Sequence, residues 1–243
     1  MQEIILFGCC FFIVAFLYAS VGHGGASGYL ALMALFGFSA SVMKPTALLL
    51  NLFVSIIAFI SFYRAKHFKS QVLWPLIATS IPFAYLGSSL SLSELLYKKI
   101  LGIVLLLSVF RLLWNNTDRP LHPLPKWYWL SLIGAVIGLV SGMIGMGGGI
   151  LLSPILLLIS WANQKQTAAI TAIFIFLNSA AGMAGQFRTG FNFNTQILGI
   201  IVFVLAGGWL GAYLGAEKIP SKNMKFILAS VLILASGKLF FVK

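Results

Sequence analysis

Gly145-Met146-Gly147-Gly148-Gly149 interrupts an uncharged apolar run spanning residues 127–164. Gly22-His23-Gly24-Gly25-Ala26-Ser27-Gly28 interrupts another, over residues 4–43. Aligning Gly22 with Gly145 also puts Gly24 on Gly147 and Gly25 on Gly148. Each interior glycine costs a helix roughly 1 kcal/mol relative to alanine, so such a knot breaks the helix that contains it. A break at membrane depth is tolerated only where protein or a watery cavity satisfies the freed backbone groups. Two breaks at matching places in two halves point to a transporter's binding site.

The surrounding composition is that of a membrane protein. The 243 residues are 60% hydrophobic and 8% charged, against about 25% charged in an average soluble domain. Mean hydropathy is +1.02. Stretches of about 20 apolar residues are long enough to cross a bilayer. The net charge of +12 would suggest nucleic acid in a soluble protein. Here the basic residues lie between apolar segments, as cytoplasmic loops require, and no nucleic-acid partner is expected. Cys9 and Cys10 are adjacent in the first segment and offer neither a disulfide framework nor metal-ligand spacing. No metal or cofactor is expected. The first segment lacks a basic leader and reads as a membrane helix rather than a removed signal peptide.

Ten apolar segments fall into two sets of five: 4–21, 27–41, 45–63, 72–91 and 100–114, then 127–143, 150–162, 166–187, 195–216 and 225–241. The second, fifth and seventh are short and need not span. Residues 115–126, with Pro120, Pro123 and Pro125, join a first repeat, 1–114, to a second, 127–243. The repeats match further along: Tyr63-Arg64 with Phe187-Arg188, Leu86-Gly87 with Leu210-Gly211, and Lys99 near Lys225. An ordered series at nearly constant offset signals duplication. Five segments per half is odd, and re-entrant hairpins at the knots would leave three spans, also odd. The expected fold is therefore an all-α polytopic membrane protein of two inverted-topology helical repeats with Gly-rich helix breaks.

With the N-terminus outside, cytoplasmic loops hold Arg64, Lys66, Lys69, Arg119, Lys126, Lys165, Lys218, Lys222 and Lys225. The opposite side holds Lys44, Lys98, Lys99, Arg188 and Lys243. This majority favours that orientation in the cell (inner) membrane. Trp74, Trp114, Trp127, Trp129 and Trp161 lie at segment ends, as an interfacial belt would place them. Trp209 does not, and is expected inside.

The acidic residues Glu3, Glu94, Asp118 and Glu217 all lie at segment ends or in connectors. A relay of buried carboxylates is thereby disfavoured. A cavity lined by Gly N–H groups and helix N-termini suits an anion. The alternative is that the glycines only permit close helix packing, although packing motifs usually space small residues by four. The candidate substrate-binding residues are Gly22, His23, Gly24, Gly25, Gly145, Met146, Gly147, Gly148 and Gly149. Asn51, Asn178 and Gln186, in the third segments, are added as nearby amides. His23 is either a structural donor or a titratable one. Ser20, Ser27 and Ser141 are weaker candidates, since serine back-bonds within its own helix. Arg64 and Arg188 read as interfacial snorkelling groups.

The duplicated knots, the length and the sparse charge resemble the TauE/SafE family of sulfite exporters over about residues 4–241. The most specific match is Ser141-Gly142-Met143-Ile144-Gly145-Met146-Gly147-Gly148-Gly149-Ile150 followed by Pro154. The resemblance implies a transporter that exports a small sulfur-containing anion, such as sulfite, sulfoacetate or a related organosulfonate, across the cytoplasmic membrane; no enzymatic activity and no catalytic residue are expected. Two other readings share some of these residues. A passive anion channel has the same site chemistry. Gly25-Ala26-Ser27-Gly28 also looks like the serine motif of rhomboid intramembrane proteases, but His67 and His122 fall in loops, where no base could reach Ser27. Even parity puts both termini on one side of the membrane. Single cysteines introduced at residues 2 and 243, with Cys9 and Cys10 replaced, should react with an impermeant maleimide from the same side; labelling from opposite sides would refute the parity.

Overall fold

In lipid an open chain can satisfy its own backbone only as a helix. The computed structural model describes residues 2–90, 92–113, 121–190 and 196–218, and these form helices and connections without strands. In order they are α1 (Gln2–Ala19), α2 (Ala26–Leu35), α3 (Ala40–Arg64), α4 (Ser70–Ser89), α5 (Glu94–Leu113), α6 (Trp127–Ile144), α7 (Gly149–Leu158), α8 (Gln164–Thr189) and α9 (Gln196–Glu217). Helices α3, α4, α6, α8 and α9 are long and apolar enough to cross a membrane. The expected tenth segment, 225–241, and Trp114 lie outside the described residues.

Helices α2 and α7 have ten residues each. At ~1.5 Å per residue that is about 15 Å, half of a ~30 Å hydrocarbon core. They are therefore the returning arms of two hairpins. The fifth segment is not short: α5 has 20 residues and begins at Glu94. Its polar first turn reads as a loop in the sequence, but Glu94 and Lys98 pair across one turn at 3.0 Å, which favours helix. Lys44 also departs from its expected place in a loop, since it lies within α3 and is buried. Trp209 is exposed and stacks on Tyr213 rather than packing inside, whereas Trp161 joins a core cluster rather than an outer belt.

The two knots repeat in conformation as well as in sequence. Gly22 (φ 77°) and Gly145 (φ 86°) end α1 and α6 in the left-handed region. The residue after each closes the helix, His23 N donating to Tyr18 O and Met146 N to Ser141 O. Gly25 (φ 95°) and Gly148 (φ 81°) then start α2 and α7, again left-handed. A β-carbon at these four positions would be strained, which is why a glycine recurs at each.

Contacts between helix ends define the two ends of the bundle. At one, Phe7 of α1 meets Phe36 and Phe38 after α2, and Lys44 of α3 meets Ser88 at the end of α4. At the other, Phe62 near the end of α3 clusters with Ala168 of α8 and Ala216 of α9, and Val72 of α4 with Leu130 of α6 and Trp161 after α7. The α1–α2 hairpin thus enters from the first end and the α6–α7 hairpin from the second. Burial and then the Lys165 charge hold His67, in the α3–α4 connection, below the usual histidine pKa. That pairing belongs to the second end, where Arg64, Lys66, Lys69, Lys126 and Lys218 also lie.

The halves interlock through glycine stripes. Gly134, Gly138 and Gly142 of α6 press against the backbone of Leu76, Ser80 and Ala84 on α4. Gly207, Gly211 and Gly215 of α9 press against Phe12 and Phe16 on α1 and Ser20 just after it. Spacing by four on both partners keeps the contact line straight, as in membrane helix pairs that lack a hydrophobic drive to associate. Helices α3 and α8 pack together between these pairs. Gly138→Ala should lower the thermal midpoint by several degrees in detergent, a loss of about 1–3 kcal/mol from overpacking. The control, Gly199→Ala, has open space around its β-carbon and should be neutral or stabilising.

Candidate functional site

A helix N-terminus presents N–H groups without intrahelical partners. Neither α2 nor α7 has a side-chain cap from its own N-cap residue, since both N-caps are glycine. The first N–H of α2, on Ala26, is satisfied from another helix: Asn51 Oδ1 accepts it at 3.0 Å. Asn51 is fully buried near the middle of α3. Its Nδ2 donates to Met146 O, inside the second knot, at 3.2 Å and to Ser179 Oγ on α8 at 3.3 Å. One amide therefore ties together both knots and both central helices. Its orientation follows from its partners, because only the oxygen can accept an N–H and only the nitrogen can donate to a carbonyl.

A cavity at this joint is lined by His23, Gly24, Gly25, Asn51, Met146 and Ile175, among others. The centre of a water molecule could range over about 10 Å³ there, roughly the room one water needs. Glycine is required around Asn51. A β-carbon on Gly24 would strike Asn51 Oδ1, and one on Gly147 (φ 68°) would come within 2.6 Å of Ser179 Oγ and 2.9 Å of Asn51 Nδ2.

His23 connects the first knot to α7 and α8. Its Nδ1 lies 3.0 Å from Val21 O, and a carbonyl can only accept, so Nδ1 carries the proton. In the neutral ring Nε2 then accepts from Ser153 Oγ at 2.9 Å, and Ser153 lies 3.2 Å from Thr171 Oγ1. Ser27 Oγ donates to Tyr18 OH at 2.7 Å.

Not every residue proposed from the sequence reaches this place. Gly22 lies against Ala168, Gly145 against Lys44, Gly148 against Ile137 and Phe174, and Gly149 against Ile175. The first three shape the turns. Asn178 Nδ2 donates back to Phe174 O at 2.8 Å within α8, and its Oδ1 is buried without a partner. Gln186 Nε2 donates to Ser88 O at 2.7 Å, beside Lys44 at the first end of the bundle. Of the three amides only Asn51 touches the knots. Sequence reasoning missed Ser153, Thr171 and Ser179. A serine or threonine in an apolar helix carries no mark that separates a cross-helix donor from a back-bonded one. Among the described residues no cluster of three His, Cys, Asp or Glu could hold a metal ion.

Long apolar helices, two broken hairpins and a polar joint between them define a multi-pass helical membrane protein with the architecture of a transporter. The profile described as sulfite exporter TauE/SafE matches residues 6–239, and the chain belongs to that family. It is 36% identical over 240 residues to a probable membrane transporter protein, y4hK, of Sinorhizobium fredii, covering 97% of both chains. It is 28% identical over 200 residues to the probable membrane transporter protein MJ0441 of Methanocaldococcus jannaschii, covering 75% of this chain and 74% of that one. A probable membrane transporter protein of Haemophilus influenzae is 26% identical over 242 residues, 95% of this chain and 90% of its own length. No solved structure gives a significant match.

Asn51→Ala should cost about 2–4 kcal/mol, because it leaves Ala26 N and Met146 O buried without this partner. Asn178→Ala removes a bond within one helix together with an unpaired oxygen, and should cost less than half as much. Thermal unfolding of the two purified variants in the same detergent checks the contrast; equal losses would refute the special place given to Asn51.

Proposed function

We propose that this transporter carries a small sulfur-containing anion (sulfite, sulfoacetate or a related organosulfonate) outward across the cell membrane, and that it holds the anion between the two glycine knots. The observation that carries this reading is the hydrogen bond from Ala26 N to Asn51 Oδ1. A carbonyl oxygen occupies the place at the start of α2 that an oxyanion oxygen would take. The second knot lies across the same amide, within reach of the same ion, and no acidic residue of the described chain lines the cavity. Backbone N–H groups and two helix dipoles supply attraction there without a fixed charge.

The repeats, 1–114 and 127–243 joined by 115–126, are read as inverted. Supporting this are the hairpins that enter from opposite ends and the exchange of partners, α1 on α9 and α6 on α4. The end rich in Arg64, Lys66, Lys69, Lys126, Lys165 and Lys218 is assigned to the cytoplasm, with the N-terminus outside. A cavity with room for one water admits sulfite only after a hairpin withdraws. Withdrawal of one hairpin opens the joint toward one end while the other keeps it closed. This is how a carrier differs from a channel with a continuous pore. It requires Asn51 to release Ala26 N as the anion binds, exchanging one acceptor for another.

Flux in proteoliposomes against sulfite, sulfate, thiosulfate, sulfoacetate and taurine, with and without ion gradients, tests the reading. Sulfur anions should be carried, and alkali cations alone should not permeate. Gly24→Leu and Gly147→Leu should each abolish flux while the protein still inserts, because the side chain would displace Asn51 from the knots. Normal flux in both variants, or a cation current indifferent to sulfur anions, would refute the site.

A further inference from the structure

Lys44 lies about one turn inside α3, yet its side chain does not reach out to water as lysines near helix ends usually do. It is only 7% exposed. Its Nζ donates to Ser88 O in the last turn of α4 at 2.9 Å. Gln186 Nε2 donates to the same carbonyl at 2.7 Å. Two donor groups thus converge on one neutral acceptor, and the Ser88 hydroxyl is turned toward Gly182 O. An ammonium has three N–H groups to satisfy. The ion pair found among the described residues is Lys98 with Glu94, so no carboxylate there neutralises Lys44. The C-terminal dipole of α4 offsets part of the charge, but the N-terminal dipole of α3 opposes it.

The second half holds the same arrangement in a different setting. Lys165, at the start of α8, donates to Ala216 O in the last turn of α9 at 3.2 Å. That lysine is exposed, so water solvates it. Lys44 is buried, and withdrawing an ammonium from water with no counter-charge among the described residues is costly. Charged side chains of this kind within membrane helices mark ion pathways. Lys44 also lies against the second knot: Gly145 packs on its stem, where a β-carbon would come within 2.8 Å of Lys44 Cγ.

We propose that Lys44, with the Gln186 amide beside it, forms a second binding station for a small oxyanion, at the end of the bundle opposite Lys165. This rests on the reading of the chain as an anion transporter and adds a charged stop on the ion's route, separate from the uncharged joint at Asn51. The ammonium supplies charge and the amide supplies direction, while Ser88 O holds both donors in place when the anion is absent.

Titration calorimetry of the purified full-length chain with sodium sulfite, in detergent free of phospholipid, tests this. Lys44→Met should weaken binding roughly tenfold, the loss of one charge-assisted partner, and Lys44→Arg should stay close to wild type. Unchanged sulfite affinity in Lys44→Met, with only a lower thermal midpoint, would overturn the station and leave Lys44 as a tie between α3 and α4. Should Lys44→Met fail to fold, Gln186→Leu keeps the charge and should weaken binding about threefold or more; unchanged affinity there would overturn the proposal equally. Added phosphatidylglycerol should not compete. Competition that disappears in Lys44→Met would put a lipid phosphate there and overturn the soluble-anion station. A wild-type chain that binds neither sulfite nor sulfate overturns both this station and the transport reading, whereas a wild-type chain that binds alongside an unaffected Lys44→Met overturns the station alone.

Discussion

A backbone broken at membrane depth has to find partners within the protein, and here one amide supplies them for both breaks. Asn51 accepts from the first N–H of α2 and donates to a carbonyl of the second knot. The His23 ring adds a second link, from Val21 O in the first hairpin to Ser153 Oγ on α7. In a medium without water such a network is either fully satisfied or expensive, so the positions of α2, the second knot and Ser179 are set jointly. An anion that replaced Asn51 Oδ1 at Ala26 N would loosen the tie between the hairpins as it bound.

Around this joint the rest of the bundle is built for close and exact contact between backbones rather than for bulk. The stripes on α6 and α9 remove side chains wherever α4 and α1 approach. Lipid offers apolar side chains as good an environment as the protein interior does, so helices gain from packing only if they approach closely. Each stripe belongs to the second half and faces a helix of the first. The halves are therefore interlocked along two seams, with α3 and α8 between them, and the hairpin arms α2 and α7 are the short elements free of those seams.

Charge is distributed to match. The joint is polar but uncharged, basic groups collect at the second end, and Lys44 is the buried cation among the described residues, inside the first end. An anion moving along this route would meet dipoles at the centre and an ammonium near one end. Neutral donors at the centre would hold it without trapping, since no full opposite charge would have to be left behind on release.

How much of this could be read from the sequence varies with the range of the interaction concerned. Helix breaks at the knots were legible because glycine's cost in a helix is local, and so was their repetition at Gly22, Gly25, Gly145 and Gly148. The apolar runs showed a membrane protein, and the third segments carried the amides. The start of α5 was misread because Glu94 and Lys98 look like a loop until their pairing across one turn is seen. Lys44 was misread as a loop residue because charge alone does not tell whether an ammonium finds a buried carbonyl. Asn51, Asn178 and Gln186 were equivalent in the sequence, and the fold separated them: one reaches the knots, one bonds back to its own helix and one sits beside Lys44. What the sequence determined by itself was where the chain could not remain helical and which stretches had to stay out of water, since both depend on neighbours along the chain. Which donor meets which acceptor was decided only by tertiary structure, because a hydrogen bond depends on distances across helices that lie 95 or more residues apart in the chain.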